Sequence, residues 1–287
     1  MNNQLIWLLL SILFYTSCRP DNSNSSCNNE ENCPADSIIV GSFDSKSSVD
    51  AKTIHAKTAL IFAYPNIISE IADNFVILTN GKRIVFDDGK EKNDFEVLED
   101  CDVEDMFRYH YCLPDSFPTY MYDPGRGRCE SLFKAMYGKT ATEVSNNLVY
   151  LDWFGQKLAF NSVNGAADSL KNVACEIAKY SELRPYLKSG GTYYWRPVRG
   201  STRLSAHSYG IAIDIAVDKS DFWQWRGRTN DETARVEYTN RIPAKLVEIF
   251  QSHGFIWGGA WYHFDTMHFE FRPEIIKYGE LIKLYTD

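Results

Sequence analysis

The chain has 287 residues, with 30 Lys and Arg against 38 Asp and Glu, a formal charge of −8. That balance argues against a nucleic-acid binder, which needs a Lys/Arg surplus to neutralise phosphates. With 44% hydrophobic and 24% charged residues, the composition suits a globular protein with ample core and excludes a collagen, a coiled coil or a disordered chain.

In chain order, residues 5 to 15 form an almost wholly apolar run. The run has the length of a signal h-region and is too short to span a bilayer as a stable helix. Small residues Thr16 and Ser17 follow, then Cys18. An apolar run, small residues and a cysteine together resemble a bacterial lipoprotein signal. That resemblance implies a signal peptide over residues 1–17, lipidation at Cys18, and a chain exported to the periplasm or cell envelope and anchored to a membrane. Residues 18–37 are polar and Asn/Ser-rich, unable to bury enough surface to offset ordering, and read as a flexible tether. Six cysteines remain: Cys27, Cys33, Cys101, Cys112, Cys129 and Cys175. In an oxidising compartment at least one disulfide among them is expected, in a pairing the sequence does not select.

Residues 38–164 read as an N-terminal elaboration. Phe75 to Leu78, then Asn80-Gly81, then Arg83 to Phe86 predicts a β-hairpin, because Asn-Gly tolerates the positive φ of tight turns. Residues 89–128 are turn-rich, and residues 130–137 predict a short helix stopped by Gly138. Leu170, Val173, Ile177 and Ala178 recur at helical spacing, which predicts an amphipathic helix over 165–187. A further helix is predicted over 243–252, with His253 suiting its negative C-terminal end. All of these serve as scaffold.

From residue 191 the texture changes. Five of the seven tryptophans lie between Trp195 and Trp261, and four of the six histidines between His207 and His268. Residues 211–217 alternate, with Ile211, Ile213, Ile215 and Val217 on one face and Ala212, Asp214 and Ala216 on the other. A carboxylate between two alanines on a half-buried strand needs a partner. His207 lies seven residues upstream, and Gly210 offers the bend that returns its imidazole over the strand. In Trp261-Tyr-His-Phe-Asp265-Thr-Met-His268-Phe-Glu-Phe271, Phe269 and Phe271 would face a core, with His268 and Glu270 opposite. Two imidazoles and one carboxylate leave tetrahedral zinc an open position for water, and a further carboxylate beside it can act as general base. The plain alternative is that each histidine is structural and Asp214 caps a turn.

S-x-H-x-x-G-x-A-x-D at Ser205 to Asp214, followed by D-x-x-H-F-E at Asp265 to Glu270, resembles the zinc D-alanyl-D-alanine carboxypeptidase family. That family also holds the vancomycin-resistance dipeptidases and the phage L-alanyl-D-glutamate endopeptidases. The resemblance covers roughly residues 165 to 275, within a peptidase core over 165–287. It implies an α+β fold, with a small antiparallel sheet carrying one zinc and helices packed on one side. It implies zinc ligands His207, Asp214 and His268, a catalytic base at Asp265, and a substrate-contacting Ser205. Arg196 would polarise the scissile carbonyl, with Arg203 as a rival. Asp at 265, where the carboxypeptidase and dipeptidase branches carry Glu, resembles the endopeptidase branch. Glu270 either orients His268 or pairs with Arg272 at the surface. His253 and His263 match no ligand position, and His263 is a candidate for the cleft wall. Trp223, Trp225, Trp257 and Trp261 are groove walls or core, equally well. The implied substrate is a peptidoglycan stem peptide. Because hedgehog signalling domains resemble this zinc fold, a non-catalytic zinc-stabilised binding module is the alternative.

Overall fold

A computed structural model describes residues 45–112 and 118–286. The signal run, Cys18, the tether, Cys27 and Cys33 lie outside the described residues. Helix α1 (Ser45–Ala63) leads into a three-stranded antiparallel sheet of β1 (Ile68–Ala72), β2 (Phe75–Leu78) and β3 (Arg83–Val85). Its β2–β3 pair is the hairpin the Asn-Gly signal predicts, with Gly81 at φ 79°. Asp73 and Asn74, both at positive φ, turn β1 into β2. Helix α2 (Asp94–Glu99) starts from a capping box in which Asn93 and Glu96 satisfy each other's backbone N–H.

Helix α3 (Glu130–Tyr137) ends at Gly138 as predicted, burying Leu132, Phe133, Met136 and Tyr137. Helix α4 (Ala141–Asn146) precedes a second hairpin, β4 (Leu148–Trp153) and β5 (Gln156–Asn161). Phe154 and Gly155 make its two-residue turn, both at positive φ.

Helix α5 (Ala166–Ile177) is shorter than the predicted span. Leu170, Val173 and Ile177 do form its buried stripe. Tyr180 then adopts an extended conformation, and Ser181–Tyr186 winds as a 3-10 turn around Pro185. Pro185 has no N–H to continue an α-helix and disfavours helical backbone at Arg184.

The four-stranded antiparallel sheet that carries the motifs runs β6-β7-β9-β8. It comprises β6 (Ser189–Gly191), β7 (Ala212–Ile215), β8 (Phe255–Trp257) and β9 (His268–Phe271). Strand β7 stops before the predicted Val217, because Ala216 turns to φ 50° and leaves Val217 40% exposed. Between β7 and β8 lie α6 (Trp223–Gly227) and α7 (Ala244–Ser252). Phe269 stacks on Phe250 of α7 at 4.0 Å, and Phe271 packs on Phe255, so the predicted apolar face of β9 meets the core. Helix α8 (Pro273–Thr286) closes the chain against α1.

No disulfide forms among the four described cysteines Cys101, Cys112, Cys129 and Cys175. No described helix is long and apolar enough to cross a membrane.

Candidate metal centre and cleft

Strand pairing sets the first two ligand-type groups side by side, since Asp214 of β7 lies opposite His268 of β9 in register. The third arrives from the 3-10 turn Ala206–Tyr209, where the Ser205 hydroxyl accepts from the His207 N–H at 3.4 Å. The chain then reverses at Gly210, φ 67°, into β7. The backbone turn favours glycine there, and a Cβ would stand 2.6 Å from Leu148 Cδ2, so that side chain would have to shift.

His268 Nδ1 lies 3.0 Å from Asp214 Oδ1, and His207 Nε2 lies 3.3 Å from each of them. Ligands bonded tetrahedrally to zinc at about 2.0–2.1 Å stand roughly 3.3 Å apart, so these three atoms fit a zinc ion without rearrangement. The tautomers agree. His207 Nδ1–H donates to the Thr192 carbonyl at 2.5 Å, which leaves the Nε2 lone pair facing the site. His268 Nε2–H faces Glu270 Oε2 at 3.4 Å, which leaves Nδ1.

Burial alone would raise the Asp214 carboxyl, yet the His207 and His268 imidazoles hold it far below the carboxylate range. Burial opposes charge on His268, but Asp214 and Glu270 push it up to about 10. Asp265 goes the other way, since burial and then the Asp214 charge raise it to about 7. Its Oδ1 is buried without a hydrogen-bond partner. Its backbone is fixed by the Asp265 N–H donating to Gly258 O at 3.0 Å. A Cβ on Gly258 would come within 2.6 Å of the Asp265 carbonyl, so this approach needs glycine.

These groups open on a cleft of about 400 Å³ that also takes in Arg196, Ser205, Trp223, Trp225 and Trp261. Arg196 is exposed and makes no ion pair among the described residues; Nη1 donates to the Pro197 carbonyl at 3.3 Å. Trp257 belongs to the core instead, with its ring stacked near Phe269 and its indole N–H donating to Thr266 O at 2.9 Å. His253 caps α7 and meets Glu176 at 2.9 Å. His263 lines the cleft, but both ring nitrogens are engaged, by Asp123 at 2.5 Å and by the Glu232 carbonyl at 2.8 Å.

Glu270 does both things expected of it, except that its pairing with Arg272 is fully buried rather than at the surface. Three groups share its carboxylate: His268, Arg272 at 3.1 Å and Arg128 at 3.0 Å. Arg126 and Arg128 are cleft residues the sequence reading missed. The only local signal was Gly-Arg-Gly-Arg after Pro124, which says nothing about a strand 140 residues on.

A competing acidic group, Asp88, Asp102 and Asp105, is already answered by the buried Lys92 ammonium at 3.2, 3.4 and 2.6 Å.

The sequence model of a family described as D-alanyl-D-alanine carboxypeptidase matches residues 199–271. A curated relative is the peptidoglycan L-alanyl-D-glutamate endopeptidase CwlK of Bacillus subtilis (strain 168). It is 37% identical over 75 residues, which is 24% of this chain and 40% of that protein. The match thus spans about two fifths of that relative's length. No solved structure matches the chain.

Proposed function

From a chain whose residues 199–271 match the model of this peptidase family, we infer an exported zinc-dependent peptidase, lipid-anchored through Cys18, that hydrolyses peptidoglycan stem peptides. The observation that carries this reading is one cleft holding three ligand atoms at tetrahedral spacing beside Asp265, whose Oδ1 has no hydrogen-bond partner. The relative's name and the Asp at 265 favour cleavage between L-alanine and D-glutamate over removal of a terminal D-alanine.

His207, Asp214 and His268 would hold one zinc, which when bound supplies Lewis acidity that lowers the pKa of a water towards ~7. Asp265, raised close to neutrality, accepts that water's proton at Oδ1 and passes it to the leaving amine. Arg196, free of ion pairs, donates to the scissile carbonyl oxygen as negative charge develops there. Ser205, at the turn that presents His207, offers the substrate backbone a polar contact. The tryptophans of the cleft give the stem peptide apolar walls and exclude water.

Purified muropeptides digested with the zinc-loaded protein and analysed by mass spectrometry test the reading. A new peptide starting at glutamate is the expected product. Loss of one terminal alanine would assign the carboxypeptidase activity instead. No cleavage would favour a zinc-stabilised binding module.

A further inference from the structure

Two guanidinium groups of the cleft carry charge that the fold leaves partly unanswered. The Arg128 side chain is 9% exposed, and its Nη1 donates to Glu270 while its Nε is buried without a hydrogen-bond partner. The Arg203 side chain is 11% exposed, and its Nε is likewise buried and unpartnered. Glu99 Oε1 stands 3.4 Å from that Nε outside hydrogen-bonding geometry, and its side chain is 50% exposed, so solvent screens the pair. Arg126, on the same wall, is already held by Asp123 and Glu232. Burial, then the charges of Arg128 and Arg126, push the Arg203 guanidinium down to about 10.

Leaving buried N–H donors of charged groups unsatisfied is costly. Those Nε atoms are closed off within the wall, but no hydrogen bond among the described residues occupies Arg128 Nη2 or either Arg203 Nη, and a planar carboxylate in the cleft matches such guanidinium edges better than it would match lysines. Both arginines line the cleft that holds Asp214, His268 and Asp265. Arg128 comes from outside residues 199–271, so the part of the chain beyond the family match shapes this wall.

We propose that Arg128 and Arg203 form a carboxylate-binding subsite that selects peptides with an acidic group near the bond to be cut. The proposal deepens the peptidase reading and rests on it for the choice of a peptide. The carboxylate can come from the stem glutamate or from the peptide's C-terminus.

Calorimetry on the zinc-loaded full chain carrying Asp265→Asn tests it with three probes. These are L-alanyl-γ-D-glutamyl-L-lysyl-D-alanyl-D-alanine, its glutamate α-carboxamide and its C-terminal carboxamide. One amide should bind about tenfold more weakly or worse, and which one it is names the carboxylate. Adding Arg203→Gln should bring all three to equal affinity, and Arg203→Lys should keep part of the preference. Equal binding by all three with Arg203 intact overturns the subsite, as does an equal loss for all three in Arg203→Gln and Arg203→Lys. Glutarate separates the two readings. If it raises the melting temperature of the unmutated protein but not of Arg203→Gln, while no stem peptide is cut, the subsite stands and the peptidase reading falls. If glutarate gives no such difference and no amide is discriminated, the subsite falls whether or not peptides are cut.

Discussion

Asp214 and Asp265 carry the same side chain, feel the same two imidazoles, and are driven in opposite directions. Asp214 touches both histidines and stays ionised, whereas Asp265 is buried near a carboxylate and rises to about 7. Environment thus divides two identical groups into one held charged beside the imidazoles and one held near neutrality, the division that the proposed roles of ligand and base require. His207→Ala should therefore lose the zinc, from about one per chain, by metal analysis. Asp265→Asn should keep it while peptide hydrolysis falls by ~10²–10⁴-fold, the usual worth of a positioned general base. Asp123 gives a second prediction at this scale. Burial would raise its carboxyl, but Arg126 and His263 outweigh burial and hold it at about 2, against 3.8 unperturbed. A depressed folded value means stability that is present above about pH 4 and lost as pH falls through about 2. The shift corresponds to about 2 kcal/mol. Melting temperatures of Asp123→Asn should accordingly fall less steeply between pH 5 and 2 than those of the unmutated protein.

The elements that build the site were legible where periodicity and punctuation agreed. The alternation from Ile211 and the aromatic pair Phe269 and Phe271 gave β7 and β9, and Gly138 gave the end of α3. Two failures are physical. The predicted long helix ends at Ile177, Tyr180 turns extended, and Pro185 lies in the separate 3-10 turn beyond, because apolar spacing persists past points where the hydrogen-bond ladder stops. Arg126 and Arg128 were invisible because their partners, Glu232 and Glu270, lie more than 100 residues away. No disulfide joins the four described cysteines; burial instead raises the Cys101 and Cys129 thiols, making them poorer thiolates. Gly210 tests how an element positions a ligand. Gly155, at φ 82° with open space around its Cβ position, serves as the control. Gly155→Ala should cost about 1 kcal/mol, the left-handed penalty alone. Gly210→Ala must also displace the Leu148 side-chain tip and should cost slightly more, about 1–2 kcal/mol by urea denaturation. Because the turn carries His207, zinc affinity should weaken in Gly210→Ala and not in Gly155→Ala.

Across the described residues, one buried polar chain ties the first described helix to the candidate metal centre. Tyr64, at the end of α1, donates to Glu274; Arg272 bridges Glu274 and Glu270; and Glu270 receives Arg128 and His268. Tyr64, Glu270, Arg272 and Glu274 are each at most 1% exposed, and Arg272 also donates to the Gly125 carbonyl at 2.6 Å, pinning the loop that carries Arg126 and Arg128. Opposite charges in such a setting are held in place more by the cost of stranding one than by their mutual attraction. Tyr64→Phe removes one bond to a charged acceptor and should cost about 1.5–3 kcal/mol. Arg272→Met leaves the buried Glu274 with no cation and only the Tyr64 hydroxyl, and should cost about 3–5 kcal/mol, with weaker zinc binding as Glu270 keeps Arg128 and His268 but loses one of its anchors. If stranding is the cause, adding Glu274→Gln to Arg272→Met should restore part of that stability, although the double variant has lost one more native contact. Urea denaturation of the unmutated protein, Arg272→Met, Glu274→Gln and the double variant measures this. Additive losses in the double variant would mean that the chain acts as separate bonds and not as one charge-balanced unit.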